Sequence, residues 1–118
     1  MADLKVLGVC GSLRKASLSM AALHACNGLM PAGMSMTIAQ IGDIPMYNQD
    51  LFDAGIPQPA KRFYDEVAAA DGVLIASPEY NFSLPAVLKN AIDWVRRMPL
   101  AASLAGAVPG ITGEIHGL

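Results

Sequence analysis

Leu4-Lys5-Val6-Leu7-Gly8-Val9-Cys10-Gly11-Ser12 comes directly after Met1-Ala2-Asp3. A nearly unbroken apolar run of this length, broken by Gly-Ser, is the pattern of a strand covered on both faces, as strands in parallel sheets are. A strand with one wet face would alternate instead. The next two segments support the parallel reading. From about Ser17 to Met30 the chain is rich in Ala, Leu and Met, with Ala21, Ala22, Ala25 and Leu29 on one helical stripe, and Pro31-Ala32-Gly33 stops it. Met34, Met36 and Ile38 then alternate with Ser35 and Thr37, a second and less buried strand.

Farther along, Gly42 to Gln58 reads as one long loop, a length that is usually functional or mobile. Ala60 to Ala70 is predicted to be a helix with Phe63, Val67 and Ala70 on one face. Val73-Leu74-Ile75-Ala76 is a short, wholly apolar third strand. After Ser77 to Ser83, Leu84, Val87, Leu88, Ala91, Ile92 and Val95 recur at the spacing of one helical face. Ser83 can cap that helix, Pro85 suits its first turn, and Lys89–Asp93 and Asp93–Arg97 are i,i+4 pairs. The order β-α-β-α-β-α implies an α/β fold: a doubly wound parallel sheet with right-handed crossovers and helices on both faces. Residues 101–118 are rich in Ala and Gly without a clear period, and read as a weakly structured tail.

Composition narrows the function. The 118 residues are enough for one domain. Hydrophobic residues make up 53% and charged ones 15%, too apolar a balance for a disordered chain. Net charge is −2 and the eight Lys and Arg are scattered, so nothing favours nucleic acid. The start lacks the pattern of a signal peptide, and no stretch is long and apolar enough to span a bilayer. The expected location is therefore the cytoplasm, with no membrane partner. Cys10 and Cys26 match no zinc or redox spacing, and both are expected to pack as small hydrophobes. His24 and His116 stand in no Ser-His-Asp or metal-ligand arrangement, so no catalytic side chain and no metal site is assigned.

Ligands of open α/β sheets bind beyond the carboxyl ends of the strands, where strand order reverses. Two turns are candidates. Gly11-Ser12-Leu13-Arg14-Lys15-Ala16-Ser17-Leu18-Ser19 leads into the first helix, whose free N–H groups suit a phosphate; the serines add donors and Arg14 a guanidinium fork. It is neither a P-loop nor a dinucleotide fingerprint, and a plain helix-capping turn would use the same residue types. Ser77-Pro78-Glu79-Tyr80-Asn81-Phe82-Ser83 offers a ring, an amide and free backbone groups, a mixture suited to a flat heteroaromatic ligand; an ordinary turn with an exposed Tyr reads the same way. If strands one and three are neighbours, the two turns form one site, with a phosphate at one end and a flat ring at the other.

Three blocks carry a resemblance: Gly11-Ser12-Leu13-Arg14-x-x-Ser17; Pro45-x-Tyr47-Asn48-Gln49-Asp50; and Ser77-Pro78-Glu79-Tyr80-Asn81-x-Ser83-x-Pro85-x-x-Leu88-Lys89-Asn90-Ala91-x-Asp93-Trp94. Over about residues 4–100 the chain resembles the NADPH-dependent FMN reductase family, which includes quinone, chromate and azo-dye reductases. The resemblance implies a flavodoxin-like domain over residues 1–100, FMN as cofactor, and NADPH or NADH as hydride donor to a small electron acceptor such as a quinone or free flavin. It implies that Ser12, Arg14, Ser17 and Ser19 hold the FMN phosphate, although the family usually has Asn at the position of Ser19. Pro78, Glu79, Tyr80 and Asn81 would line the ribityl chain and ring, with Glu79 positioning rather than donating a proton. It further implies a homodimer or homotetramer. Relatives continue with more sheet after the third helix, so residues 101–118 read as a divergent end and the fold as C-terminally truncated. The alternative is a non-catalytic flavodoxin-like module that binds flavin weakly or pairs with another chain.

Overall fold

The computed structural model describes residues 3–98. Three strands and four helices occur in the order β1 (Leu4–Cys10), α1 (Leu18–Gly28), β2 (Met34–Ile38), α2 (Gln49–Ala54), α3 (Gln58–Ala69), β3 (Gly72–Ala76) and α4 (Ala86–Arg96). The strands form one parallel sheet in the order β2-β1-β3. The predicted tail, residues 101–118, lies outside the described residues. No helix among the described residues is long and apolar enough to cross a membrane.

Register does the positioning. β1 pairs with β2 from Leu4↔Met34 to Gly8↔Ile38 and with β3 from Val6↔Gly72 to Cys10↔Ala76. β1 and β3 therefore end level, and the turns that leave them start side by side. The entry to β3 is pinned at the opposite end: Asp71 N–H donates to Lys5 O at 2.8 Å, and Lys5 N–H donates to Asp71 Oδ2 at 2.8 Å.

Alternate residues of β1 face opposite sides of the sheet. Leu7 and Val9 enter the larger core with Ile41, Phe63, Leu88 and Trp94, which α3 and α4 cover. Cys10 belongs to a smaller cluster with Leu23 and Met36, against which Val6, Met20 and Leu74 pack from α1 and the sheet. The apolar run in β1 thus has the cause expected of it: both of its faces are covered.

Several local expectations need correction. The stripe Ala21, Ala22, Ala25 and Leu29 is exposed; α1 seats itself through Leu23 and Met20 instead. Because α1 is apolar on every side, its sequence carries no strong signal for which side faces the sheet. Cys26 is exposed, while Cys10 is buried. The supposed loop 42–58 contains α2, whose start is capped by Asn48 Oδ1 accepting from Asp50 N–H at 2.8 Å. α3 starts two residues earlier than the periodicity predicts, with Pro59 in its first turn, where a missing N–H costs nothing. Pro85 is the N-cap of α4 and no side chain caps that helix, so Ser83 does not. Lys89 pairs with Asp93 as expected, but Arg97 turns to Tyr47 Oη (3.0 Å) and Gln49 Oε1 (2.8 Å) rather than to Asp93.

Those last contacts belong to a polar clasp. Asn90, buried on α4, accepts from Tyr47 N–H through Oδ1 at 2.7 Å and donates through Nδ2 to Pro45 O at 3.0 Å and Ile44 O at 3.3 Å. Trp94 Nε1–H donates to Pro45 O at 2.7 Å, and its ring meets that of Tyr47 edge to face at 5.0 Å. Residues 44–49 carry few internal backbone bonds, so α4 satisfies them with side chains.

Candidate functional site

Two turns meet at the carboxyl end of the sheet. Gly11 N–H donates to Ala76 O at 2.9 Å, which extends the β1–β3 ladder by one rung into the turns. The approach is close enough to demand glycine. A Cβ on Gly11 would fall 2.2 Å from Ser77 Oγ and 2.7 Å from Ser77 Cβ. Ser77 Oγ donates to Pro78 O at 2.9 Å, so the partner side chain is itself engaged.

Past Gly11 the first turn is held by local bonds. Arg14 N–H donates to Ser12 Oγ at 3.3 Å, and Ser17 N–H donates to Arg14 O at 3.1 Å. Ser17 is the N-cap of α1, its Oγ accepting from Met20 N–H at 3.1 Å, with Cys10 Sγ 3.7 Å away. The N–H groups of Leu13, Lys15 and Ala16 have no acceptor among the described residues. The side chains of Arg14 and Lys15 are exposed and make no ion pair among the described residues. Free amides, two cations and a helix start together form an electropositive rim.

The second turn is tight. Tyr80 and Ser83 exchange N–H···O bonds of 3.1 Å each, and the two residues between them take left-handed backbone, Asn81 at φ 53° and Phe82 at φ 63°. The turn lifts both aromatic rings outward: Tyr80 is 53% exposed and Phe82 92%. Together the two rings leave apolar surface exposed on one turn.

Between the turns lies a cleft of about 320 Å³, lined by Ser12, Leu13 and Arg14 on one side and by Tyr80, Pro85, Ala86 and Val87 on the other. Of the eight residues predicted for the site, Ser12, Arg14 and Tyr80 meet here. Ser17 and Ser19 lie half-buried at the start of α1, behind the rim. Pro78, Glu79 and Asn81 sit in the second turn without lining the cleft. The start of α4 was missing from the sequence-based set. Its apolar period marked it as core, and only the three-dimensional placement turns Ala86 and Val87 toward the rim.

A second cleft of about 530 Å³ opens on the other side of the first turn. Its walls are Leu13, Arg14 and Lys15 facing Gln40, Ile41 and Asp43 from the segment after β2. That segment is anchored from α3. Arg62 forks Asp43, Nη2 to Oδ1 at 2.7 Å and Nη1 to Oδ2 at 2.9 Å, and Nη2 also donates to Gln40 O at 2.8 Å. Hydrogen bonds from Arg62, more than its charge alone, hold the Asp43 carboxyl below its ordinary value, whereas burial pushes Glu66, whose Oε1 is 3.6 Å from Arg62 Nε, upward. No sequence pattern marked this arrangement, because its partners lie on separate elements.

The comparisons with known proteins agree with this geometry. A family model described as NADPH-dependent FMN reductase matches residues 4–118, so the likeness runs past residue 100, where the motif resemblance stops. An NAD(P)H-dependent FMN reductase of Pseudomonas aeruginosa is 52% identical over 97 residues, covering 82% of this chain and 52% of that protein. A 2-hydroxy-1,4-benzoquinone reductase of a Burkholderia species is 45% identical over 107 residues, covering 91% of this chain and 57% of that protein. Among solved structures, the flavoenzyme NAD(P)H:acceptor oxidoreductase FerB of Paracoccus denitrificans superposes with a TM-score of 0.75 at 38% identity, over 81% of this chain and 52% of that one. The chain spans about half the length of these relatives. A sheet ordered β2-β1-β3, two turns meeting beyond β1 and β3, and this match over residues 4–118 establish that the chain belongs to the NADPH-dependent FMN reductase family.

Proposed function

We propose that this chain forms the FMN-binding part of a flavoenzyme that takes hydride from NAD(P)H and delivers electrons to a small acceptor such as a quinone or free flavin. The observation that carries the reading is the meeting of the two turns: the Gly11–Ala76 bond sets a cationic rim and an aromatic turn on the two sides of one cleft. The donor set suits FMN. Unpaired amides at 13, 15 and 16 and the unpaired Arg14 match a phosphate dianion, and Tyr80 with the start of α4 supplies apolar area for a flat ring.

In this reading Ser12, Arg14, Ser17 and Ser19 hold the phosphate. Ser17 Oγ already accepts one N–H, which leaves its hydroxyl proton to donate. Pro78, Glu79, Tyr80 and Asn81 border the ribityl chain and ring; Ser83 takes up the N–H and C=O of Tyr80, so the N–H groups of Glu79 and Asn81, which have no acceptor among the described residues, are the backbone donors left for the flavin. FMN, once bound, supplies the hydride and electron chemistry. The protein's own task is to orient it, neutralise its phosphate and shield one edge from water. The reading includes a cytoplasmic setting and assembly as a homodimer or homotetramer, which also offers a cover for Tyr80 and Phe82.

The test uses the purified full-length chain. Expected are stoichiometric FMN retained through gel filtration and oxidation of NADPH that depends on added benzoquinone. Folded, monodisperse protein that stays colourless at saturating FMN would overturn the reading in favour of a non-catalytic module.

A further inference from the structure

Residues 12–16 carry the free amides of the proposed phosphate site, yet among the described residues their hydrogen bonds are all local. Arg14 N–H donates to Ser12 Oγ, Cys10 Sγ to Ser12 O, and Ser17 N–H to Arg14 O. Pairing with β3 stops at Gly11. Beyond it, the turn is met from outside by the segment after β2. Gly42 lies so close that a Cβ there would fall 2.8 Å from Leu13 Cδ2. We propose that Arg62 of α3 is a positioning residue for the flavin phosphate: it fixes residues 40–43, which buttress Leu13 and so hold the first turn in shape. The ligand named here rests on the reductase reading above; the buttress rests on the contacts themselves.

The segment needs such a hold. It leaves β2 by one rung, Ala39 N–H to Gly8 O at 2.8 Å, and buries Ile41 and Ile44 in the core. Gln40, Gly42 and Asp43, which alternate with or lie between those anchors, are exposed. Three hydrogen bonds from Arg62 tie down this outer side: two to the Asp43 carboxylate, at 2.7 and 2.9 Å, and one to Gln40 O at 2.8 Å. The grips fall on both sides of Gly42, so the glycine that faces Leu13 is fixed between two bonded residues. Glu66, one turn along α3, sets its Oε1 3.6 Å from Arg62 Nε and steadies the guanidinium from its other edge. The planar fork keeps its bonds in one orientation, which a lysine ammonium would not.

Donors bind an anion well when they are already aimed at it, because ordering them on binding subtracts from affinity. A turn held only by its own short bonds would have to be ordered by the phosphate. One braced at Leu13 presents the N–H groups of Leu13, Lys15 and Ala16 in place. Arg62 lines neither cleft. Its influence on a bound flavin therefore passes through Gly42 and Leu13, and falls on the phosphate end rather than on the ring.

Full-length wild type, Arg62→Met, Leu13→Ala and the double variant are each titrated with FMN and with riboflavin. Methionine keeps an apolar stem like that of arginine and removes the fork. The side chain of Arg62 is 35% exposed and Leu13 is 64% exposed, so neither substitution opens the core. The ratio of FMN to riboflavin affinity should fall about threefold to thirtyfold in Arg62→Met, the span of indirect positioning effects. In the Leu13→Ala background the same substitution should change the ratio little, since the brace has already lost its contact. An unchanged ratio, equal losses of both ligands, or losses that add in the double variant would each overturn the proposal. A second readout needs no ligand: amide nitrogen relaxation in flavin-free protein should show lower order at residues 13–16 in Arg62→Met than in wild type, and unchanged order there also overturns it. Wild type that takes up no FMN, with residues 13–16 loosened by Arg62→Met, would defeat the reductase reading and leave the buttress standing.

Discussion

At the scale of single residues the site depends on Gly11, Arg14 and Tyr80. Gly11 is required by space: the turns meet because nothing projects from its Cα. Gly11→Ala should separate them, costing roughly 1–3 kcal/mol as overpacking does, seen as a lower thermal midpoint together with weakened FMN binding. In the proposed site Arg14 acts by charge. Arg14→Ala should reduce FMN affinity by about tenfold to a hundredfold, on the scale of one charge-assisted phosphate contact, and leave riboflavin affinity nearly unchanged. Flavin fluorescence titrations separate the two cases, since equal losses would show that Arg14 acts on the fold instead. The motif blocks made Arg14 and Tyr80 legible in the sequence. Lys15 and Gln40 were not, because only tertiary proximity sets them across a cleft from one another.

At the scale of elements, two side-chain assemblies hold loops that backbone pairing alone does not. The first is the clasp from Asn90 and Trp94 onto residues 44–47. Asn90→Leu strands the N–H of Tyr47 and removes the donor to Pro45 O and Ile44 O; a loss of about 3 kcal/mol or more is expected from unpaired buried groups, read as a lower urea midpoint. The Pro-x-Tyr-Asn-Gln-Asp block and the Asn90-x-x-x-Trp94 block were both visible in the sequence, but nothing in either said that one grips the other. The second assembly is the fork from Arg62 to Asp43. The Asp43 carboxyl sits below its usual range through the Arg62 hydrogen bonds. A lowered acid stabilises the fold above its unfolded-state value and loses that contribution as pH falls through the folded one. Wild type should therefore exceed Asp43→Asn in thermal stability at neutral pH, and the gap should begin to narrow as pH falls below about 4, the ordinary aspartate range, and go on narrowing as the lowered carboxyl takes up its proton. A gap that does not narrow at all as pH falls below the ordinary aspartate range would show that charge on Asp43 is not its source.

At the scale of the molecule, the order β2-β1-β3 divides the structure into two faces and places both clefts at one end. The larger core under α3 and α4 carries Trp94, Phe63 and Leu88, so stability concentrates there. Among the described residues the cluster under α1 has three buried members, which leaves α1 the thinner-packed neighbour of the first turn. Phe63→Ala should cost about 3–5 kcal/mol, measured by denaturant unfolding. Flavin titration at a denaturant concentration that keeps the variant folded should still show binding, since Phe63 touches neither cleft.

The sequence by itself determined the α/β alternation, the parallel sheet and the two turns proposed to carry the ligand chemistry. Local signals were enough for these: a two-sided apolar run in β1, a helical period in α4, and turn residues at strand ends. The tertiary structure alone decided which side of α1 faces the sheet, that residues 49–54 form a helix, that α4 clasps residues 44–47, and that a second cationic cleft lies beside the first. Each of these depends on groups far apart in the chain that come within bonding distance only after the strands take their register, and no local pattern encodes a contact of that kind.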